Sequence, residues 1–246
     1  MGRHAQFADV VNNINGLTTY CSSNTQVVIR SGISSDSDNT YAMTNSGEIT
    51  VNITVSGVNG LDTGSEAANT WYFIYLIKNL TTGTVAGLLS TSSTSPTMPS
   101  GYTLKRRIGA VRNNAASNFL WFDSLGGGSE KWIKFAQITF DSLVSGAAGN
   151  TAWQTVSASS WAPSTAVALD VTIGPNDTNS AVRLQISKTP GTAGVNGYRS
   201  KYLSSGISAD DEIIIPCNAS QQFDWKTDNV SGATVYLTAN GYIDRL

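Results

Sequence analysis

The chain has 246 residues, long enough for one sizeable all-β domain or two small ones. Charged residues are only 13% of it and the net charge is −2, with no long basic run, so the broad basic face that nucleic-acid binding requires is missing. No stretch approaches the roughly 18 apolar residues of a membrane span, and the opening MGRHAQFADVVNNINGL lacks the continuous apolar core of a secretory signal.

Phe7, Val10, Val11 and Ile14 recur at i, i+3, i+4 and i+7, one face of a short helix over residues 5–14. The Asn and Gly residues that follow stop it. So short a helix is marginal alone, so these four residues are expected either to pack on their own domain or to dock the protein to a larger assembly.

From there the chain reads as strands and turns. Residues 26–30 (QVVIR) are β-branched. Residues 48–55 (EITVNITV) alternate, with Ile49, Val51, Ile53 and Val55 on one face. Residues 71–78 (WYFIYLIK) are apolar on both faces, as in a covered central strand, and the Thr82-Gly83 turn leads into residues 85–89. The STSSTSPTMPS tract at 90–100 reads as a surface loop. Further strands are expected at 105–112, 118–122, 131–140, 166–173, 181–187, 198–203, 212–216, 221–225 and 233–237. Many short strands bounded by Gly, Asn, Asp, Ser and Pro predict an all-β, jelly-roll-like β-sandwich. The expected division is an anchoring arm at 1–16, a β segment at 17–60 and the main sandwich at 61–246.

Catalytic chemistry is sparse. The single histidine, His4, lies in the terminal segment, away from any expected core. Asp36 and Asp38 in SSDSDN loosely resemble an oxygen-rich calcium loop but lack its closing Glu. Asp210, Asp211 and Glu212 stand at the entrance of a strand, and Gly126-Gly127-Gly128 lacks the Lys-Ser/Thr of a phosphate loop. No catalytic residue, metal site or cofactor is therefore assigned. Cys21 and Cys217 are expected as two free, buried thiols, with a single bridge as the alternative. Five Asn-X-Ser/Thr triplets carry no weight without a signal peptide. Aromatic residues on loops can stack on sugar rings. Trp153, Trp161, Tyr198 and Tyr202 are the candidates for glycan contact, against the alternative of core or subunit packing.

The segment Asn59 to Arg112 carries an LDTGS turn (Leu61–Ser65), an aromatic strand with Lys78, a TTG turn (Thr81–Gly83), a P-x-x-P-x-x-Y loop (Pro96, Pro99, Tyr102) and a KRRIG strand from Lys105. It resembles a segment of tailed-bacteriophage virion proteins of the tail-fibre, head-fibre or capsid-decoration type. The closing ATVYLTANGYIDRL is similar as well. The resemblance implies a jelly-roll-like β-domain in a phage particle, frequently trimeric, and brings no catalytic residue. The expected function is a non-enzymatic virion structural protein, assembled in the host cytoplasm, with other capsid or tail proteins and copies of itself as partners. A receptor-binding module for host surface glycan is the alternative. A polysaccharide-degrading enzyme, which needs two carboxylates in one cleft, is the third reading.

Overall fold

The computed structural model describes residues 14–136, 142–177, 182–188, 199–203, 211–230 and 232–246. No helix occurs among them; the chain is all-β, in antiparallel sheets consistent with the expected sandwich. It forms two compact units, one running to Lys131 and including Leu246, the other from Trp132 to Arg245. The boundary expected near residue 60 falls inside the first.

Unit 1 contains β1 (Ile14–Gly16), β2 (Thr19–Ser23), β3 (Gln26–Ile29), β4 (Gly32–Ser35), β5 (Ala42–Asn45), β6 (Ile49–Asn52), β7 (Trp71–Lys78), β8 (Val85–Ser90), β9 (Leu104–Arg112) and β10 (Phe122–Leu125). The strand β7 is central in a three-stranded sheet ordered β8-β7-β9, and residues 72–77 are all buried. On one face Phe73, Tyr75 and Ile77 cluster with Ala86, Leu88 and Ala110. The tract expected as a surface loop covers that cluster: Met98 and Tyr102 pack against it, Pro96 is buried, and the Tyr75 hydroxyl donates to the Ser92 carbonyl at 2.8 Å. On the other face the sheet meets β3 and β6. A Cβ at Gly87 would overlap Val51 and come within 3.0 Å of Ile29, so the glycine is what lets the layers close.

Two expectations for this unit are corrected. Ile14 is the first residue of β1, pairs with Ser34 of β4 and is 1% exposed. It belongs to the core of unit 1 and not to a helical docking face. Phe7, Val10 and Val11 lie outside the described residues. The alternation of residues 48–55 also overshoots, because β6 ends at Asn52. The Asn52 side-chain oxygen accepts from the Thr54 amide and hydroxyl, and the chain turns, leaving Val55 46% exposed.

The strand β11 (Glu130–Phe135) crosses the boundary between units. Unit 2 contains β12 (Ser142–Ala148), β13 (Gln154–Ser157), β14 (Ala166–Asp177), β15 (Val182–Lys188), β16 (Arg199–Leu203), β17 (Asp211–Pro216), β18 (Gln222–Thr227) and β19 (Ala233–Arg245). The long strand β14 pairs with β17 on one side and β19 on the other, and β12 adds to the far edge of β19. A second sheet runs β13-β18-β15-β16. Leu169, Val171, Ile173, Ile213, Ile215, Val235 and Leu237 supply buried side chains of the first sheet, and Val182, Leu184, Ile186, Phe223 and Trp225 those of the second. Val182 and Ala233 pack together in the core.

Cys21 and Cys217 are both free and buried, one in each unit, as expected. Burial pushes the Cys21 thiol up to about 12.

Gly241 tests the close packing of unit 2. A Cβ there would overlap the Ile133 carbonyl oxygen, a backbone atom that cannot swing aside. Gly241→Ala should therefore lower stability by about 1–3 kcal/mol, read as a fall in the urea midpoint at unchanged slope; an unchanged midpoint would show that β11 yields freely.

Candidate functional site

Asp36 and Asp38 form a self-contained turn. The amides of Thr40 and Tyr41 donate to Asp36 Oδ1 at 2.6 and 2.8 Å, and the Ser35 hydroxyl bonds Asn39 Oδ1 at 2.7 Å. This is the hydrogen bonding of an Asx turn, in which backbone donors occupy a carboxylate oxygen that a cation would otherwise use. Among the described residues no group of three or more His, Cys, Asp or Glu is placed to hold a metal ion. The basic run on β9 is divided: Arg106 is buried and donates to the Asp36 carbonyl at 3.5 Å, while Arg107 lies 5.8 Å over the ring of Phe73. Burial, then the charge of Arg107, lowers the pKa of Arg106.

The strongest electrostatic feature is one the sequence reading did not assemble. Lys134 of β11 makes ion pairs with both Asp170 of β14 and Glu212 of β17. Register explains the meeting. Asp170 stands opposite Gly241, whose missing side chain lets β11 approach, and Glu212 stands opposite Thr172, two residues along the same face. The Asp170 side chain is 2% exposed, and its Oδ1 has no hydrogen-bond partner among the described residues. Asp210 lies outside the described residues.

Burial holds the Asp170 carboxyl above its ordinary value, against the pull of Lys134, and the neighbouring Glu212 adds to the rise. Hydrogen bonds from Lys134 and Asp170 hold Glu212 below its ordinary value. The two carboxyls are thus shifted in opposite directions, Asp170 toward its protonated form and Glu212 toward its charged form. Asp170 is enclosed while Glu212 is more than half exposed, and through Lys134 the cluster joins three strands.

Two of the four aromatic candidates, Trp153 and Trp161, have described side-chain surroundings. Trp153, half-buried before β13, has the Lys226 ammonium 4.6 Å from its ring centre, so its own chain takes one ring face. Trp161, half-buried after β13, meets Phe135 edge to face at 5.9 Å, and Phe135 lies 6.1 Å from Tyr242. Tyr202 lies on β16, paired with Arg183, and Tyr198 lies outside the described residues.

Beyond the loop of Trp161, the segment Ser164–Val167 forms part of the wall of a cleft of about 510 Å³. Lys188 and Arg245 also line it, with Cys217 and Asn218, and none of the lining residues is acidic. The sequence reading missed this cleft because its two cations close β15 and β19, 57 residues apart by their numbering (245 − 188).

No family model matches the chain, and no curated protein matches it.

The sign of the Asp170 shift sets a pH test. A carboxyl whose folded pKa is raised adds stability fully present below its unfolded value, near 3.8, and lost as pH rises through the folded value. The stability of the native chain relative to Asp170→Asn should thus decline over that window, with the Asn variant gaining as pH rises. Denaturant titrations at a series of pH values check this, and a native chain that gains on the Asn variant as pH rises would reverse the assignment. Lys134→Met, which leaves both carboxylates without their cation, should cost about 1–3 kcal/mol at neutral pH in the same assay.

Proposed function

We propose that this chain is a non-enzymatic structural component of a phage virion, a head-fibre, capsid-decoration or tail-fibre protein acting as a homo-oligomer, with a trimer as the expected state. The observation that carries the reading is the structure of the segment with the virion resemblance. Most of it forms one continuous piece: a three-stranded sheet buried on both faces, whose P-x-x-P-x-x-Y loop seals one of them. A central strand covered on both faces is what a recurring structural module requires. Docking is assigned to the residues before β1, where Phe7, Val10 and Val11 supply the apolar spacing.

A second reading, contact with host surface glycan, is favoured by one observation. Trp161 is half-buried three residues before Ser164, the first residue of the cleft wall of unit 2, and its indole meets Phe135 edge to face.

Because Ile14 is a core residue of unit 1, the docking test is a deletion that stops at residue 13. The shortened chain should keep the thermal unfolding midpoint of the full chain and vanish from purified particles when both are quantified by immunoblot. Incorporation at the level of the full chain would dismiss the docking assignment. Sedimentation equilibrium should give the mass of a closed oligomer, three chains on the present reading, and a monomer at micromolar concentration would oppose it.

A further inference from the structure

We infer that the cleft of unit 2 is an anion site, and that its ligand is a carboxylate or sulfate group carried on a saccharide. The inference rests on the glycan reading above and gives it a location and a charge.

Three observations lead there. First, the charges that line the cleft have one sign. Lys188, the last residue of β15, and Arg245, the last residue of β19, both contribute to the wall. Both side chains are exposed, so the site is open to a ligand that remains partly in solvent. Lys188 is near enough for its charge to act on the Cys217 thiol at the floor. Two cations facing one hollow raise the local potential for anions, an effect strengthened where low-dielectric walls exclude water.

Second, the size and lining suit a sugar unit. About 510 Å³ lies inside the range of pockets that hold small ligands. Ser164 and Thr165 contribute a hydroxylated rim, and Ala166, Val167, Ala219 and the buried Cys217 form apolar wall and floor. A ring with an apolar face, hydroxyl edges and one acidic group matches that mixture. An inorganic anion would leave the apolar part unused.

Third, the frame is fixed before any ligand arrives. Asn218 is committed to its own turn: its Oδ1 accepts the amides of Ser220 and Gln222, each at 2.9 Å, and its Nδ2 donates to Gln222 Oε1 at 3.1 Å. The Ala166 amide donates to the Pro163 carbonyl at 2.9 Å, and the Cys217 amide to the Val167 carbonyl at 3.2 Å, which ties the two walls together. A frame fixed in advance confines the ordering cost of binding to the two cationic side chains. A cluster of hydroxyls on a mobile loop would not offer this.

Calorimetric titration of the full-length chain tests the site. The probes are a tetragalacturonate, a heparin-derived tetrasaccharide, a neutral maltotetraose and sodium sulfate. At least one acidic tetrasaccharide should bind, more tightly than sulfate, and more weakly as salt is raised. The double variant Lys188→Gln/Arg245→Gln should lose about tenfold or more of that affinity. Lys188→Arg/Arg245→Lys, which keeps both charges, should retain most of it. Both variants change exposed side chains, and an unaltered melting profile confirms that they fold. Acidic-saccharide binding that the Gln variant leaves intact would overturn the cleft while the glycan reading stands. Equal binding of maltotetraose would likewise overturn the anion assignment alone. Sulfate binding without any saccharide, or no binding at all, would overturn both.

Discussion

A strand without a polar face must be covered twice, and most of unit 1 follows from that requirement. Residues 72–77 of β7 are all buried. Apolar side chains on both faces give up roughly 25 cal/mol for each Å² left in water, so an uncovered face would undo the gain from the covered one. One cover is the neighbouring layer with β3 and β6, admitted by Gly87. The other is the 91–103 loop, held by Met98, Tyr102 and the Tyr75–Ser92 hydrogen bond. The low complexity of that loop hides a division of labour. Its small hydroxylated residues cap their own turns, as where Ser92 Oγ accepts from the amide of Ser95, while its few large residues face inward.

Legibility in the sequence tracks how much of an element's pattern comes from its own residues. The strand β7 was readable because eight consecutive residues carry the signal, and β17 was readable in the same way, whereas of the 13 residues of β19 only 233–237 were. The strands β1, β4 and β5 were not. Their sequences, ING, GISS and AMTN, hold little β-branched or aromatic content. They are strands because partners stand beside them: Ser34 pairs with Ile14 on one side and Met43 on the other. Ile14 shows the converse error. Four apolar residues at helical spacing suggested one face, yet the last of them was claimed by a sheet, since local periodicity cannot register a partner twenty residues away. At Asn52 a single side-chain oxygen ended a strand whose alternation ran on.

The polar cluster of unit 2 was half legible. An aspartate in the middle of AVALDVTI breaks an otherwise apolar strand, and a buried carboxylate needs a partner. Which partner could not be read. Lys134 and Glu212 are separated from Asp170 by 36 and 42 residues by subtraction of their numbers, and Lys134 reaches it only because Gly241 has no side chain. Selectivity of this kind resides in the register of three strands, which no window of sequence contains. The aromatic candidates were legible only as to place. Trp153 and Trp161 lie outside the strands, as their surrounding residues suggest, whereas their contacts with Lys226 and Phe135 depend on partners distant in sequence.

The low charge of the chain has a structural counterpart that bears on assembly. Many of its turns are fastened by neutral side chains acting locally. Asn52, Asn79, Asn114, Asn150 and Asn218 each accept a backbone amide two residues ahead through the side-chain oxygen. Such bonds are short-range and insensitive to salt, unlike surface ion pairs, which contribute about 0–1 kcal/mol and are screened. They also use up polar atoms that would otherwise need water. A surface whose carboxamide oxygens already accept bonds within their own turns gives up less solvation when covered than one of lysines and glutamates, whose desolvation costs several kcal/mol for each ion. Composition and turn chemistry thus agree: the 13% charge that first set this chain apart suits a protein whose loops are rigid before contact and lose little solvation on contact.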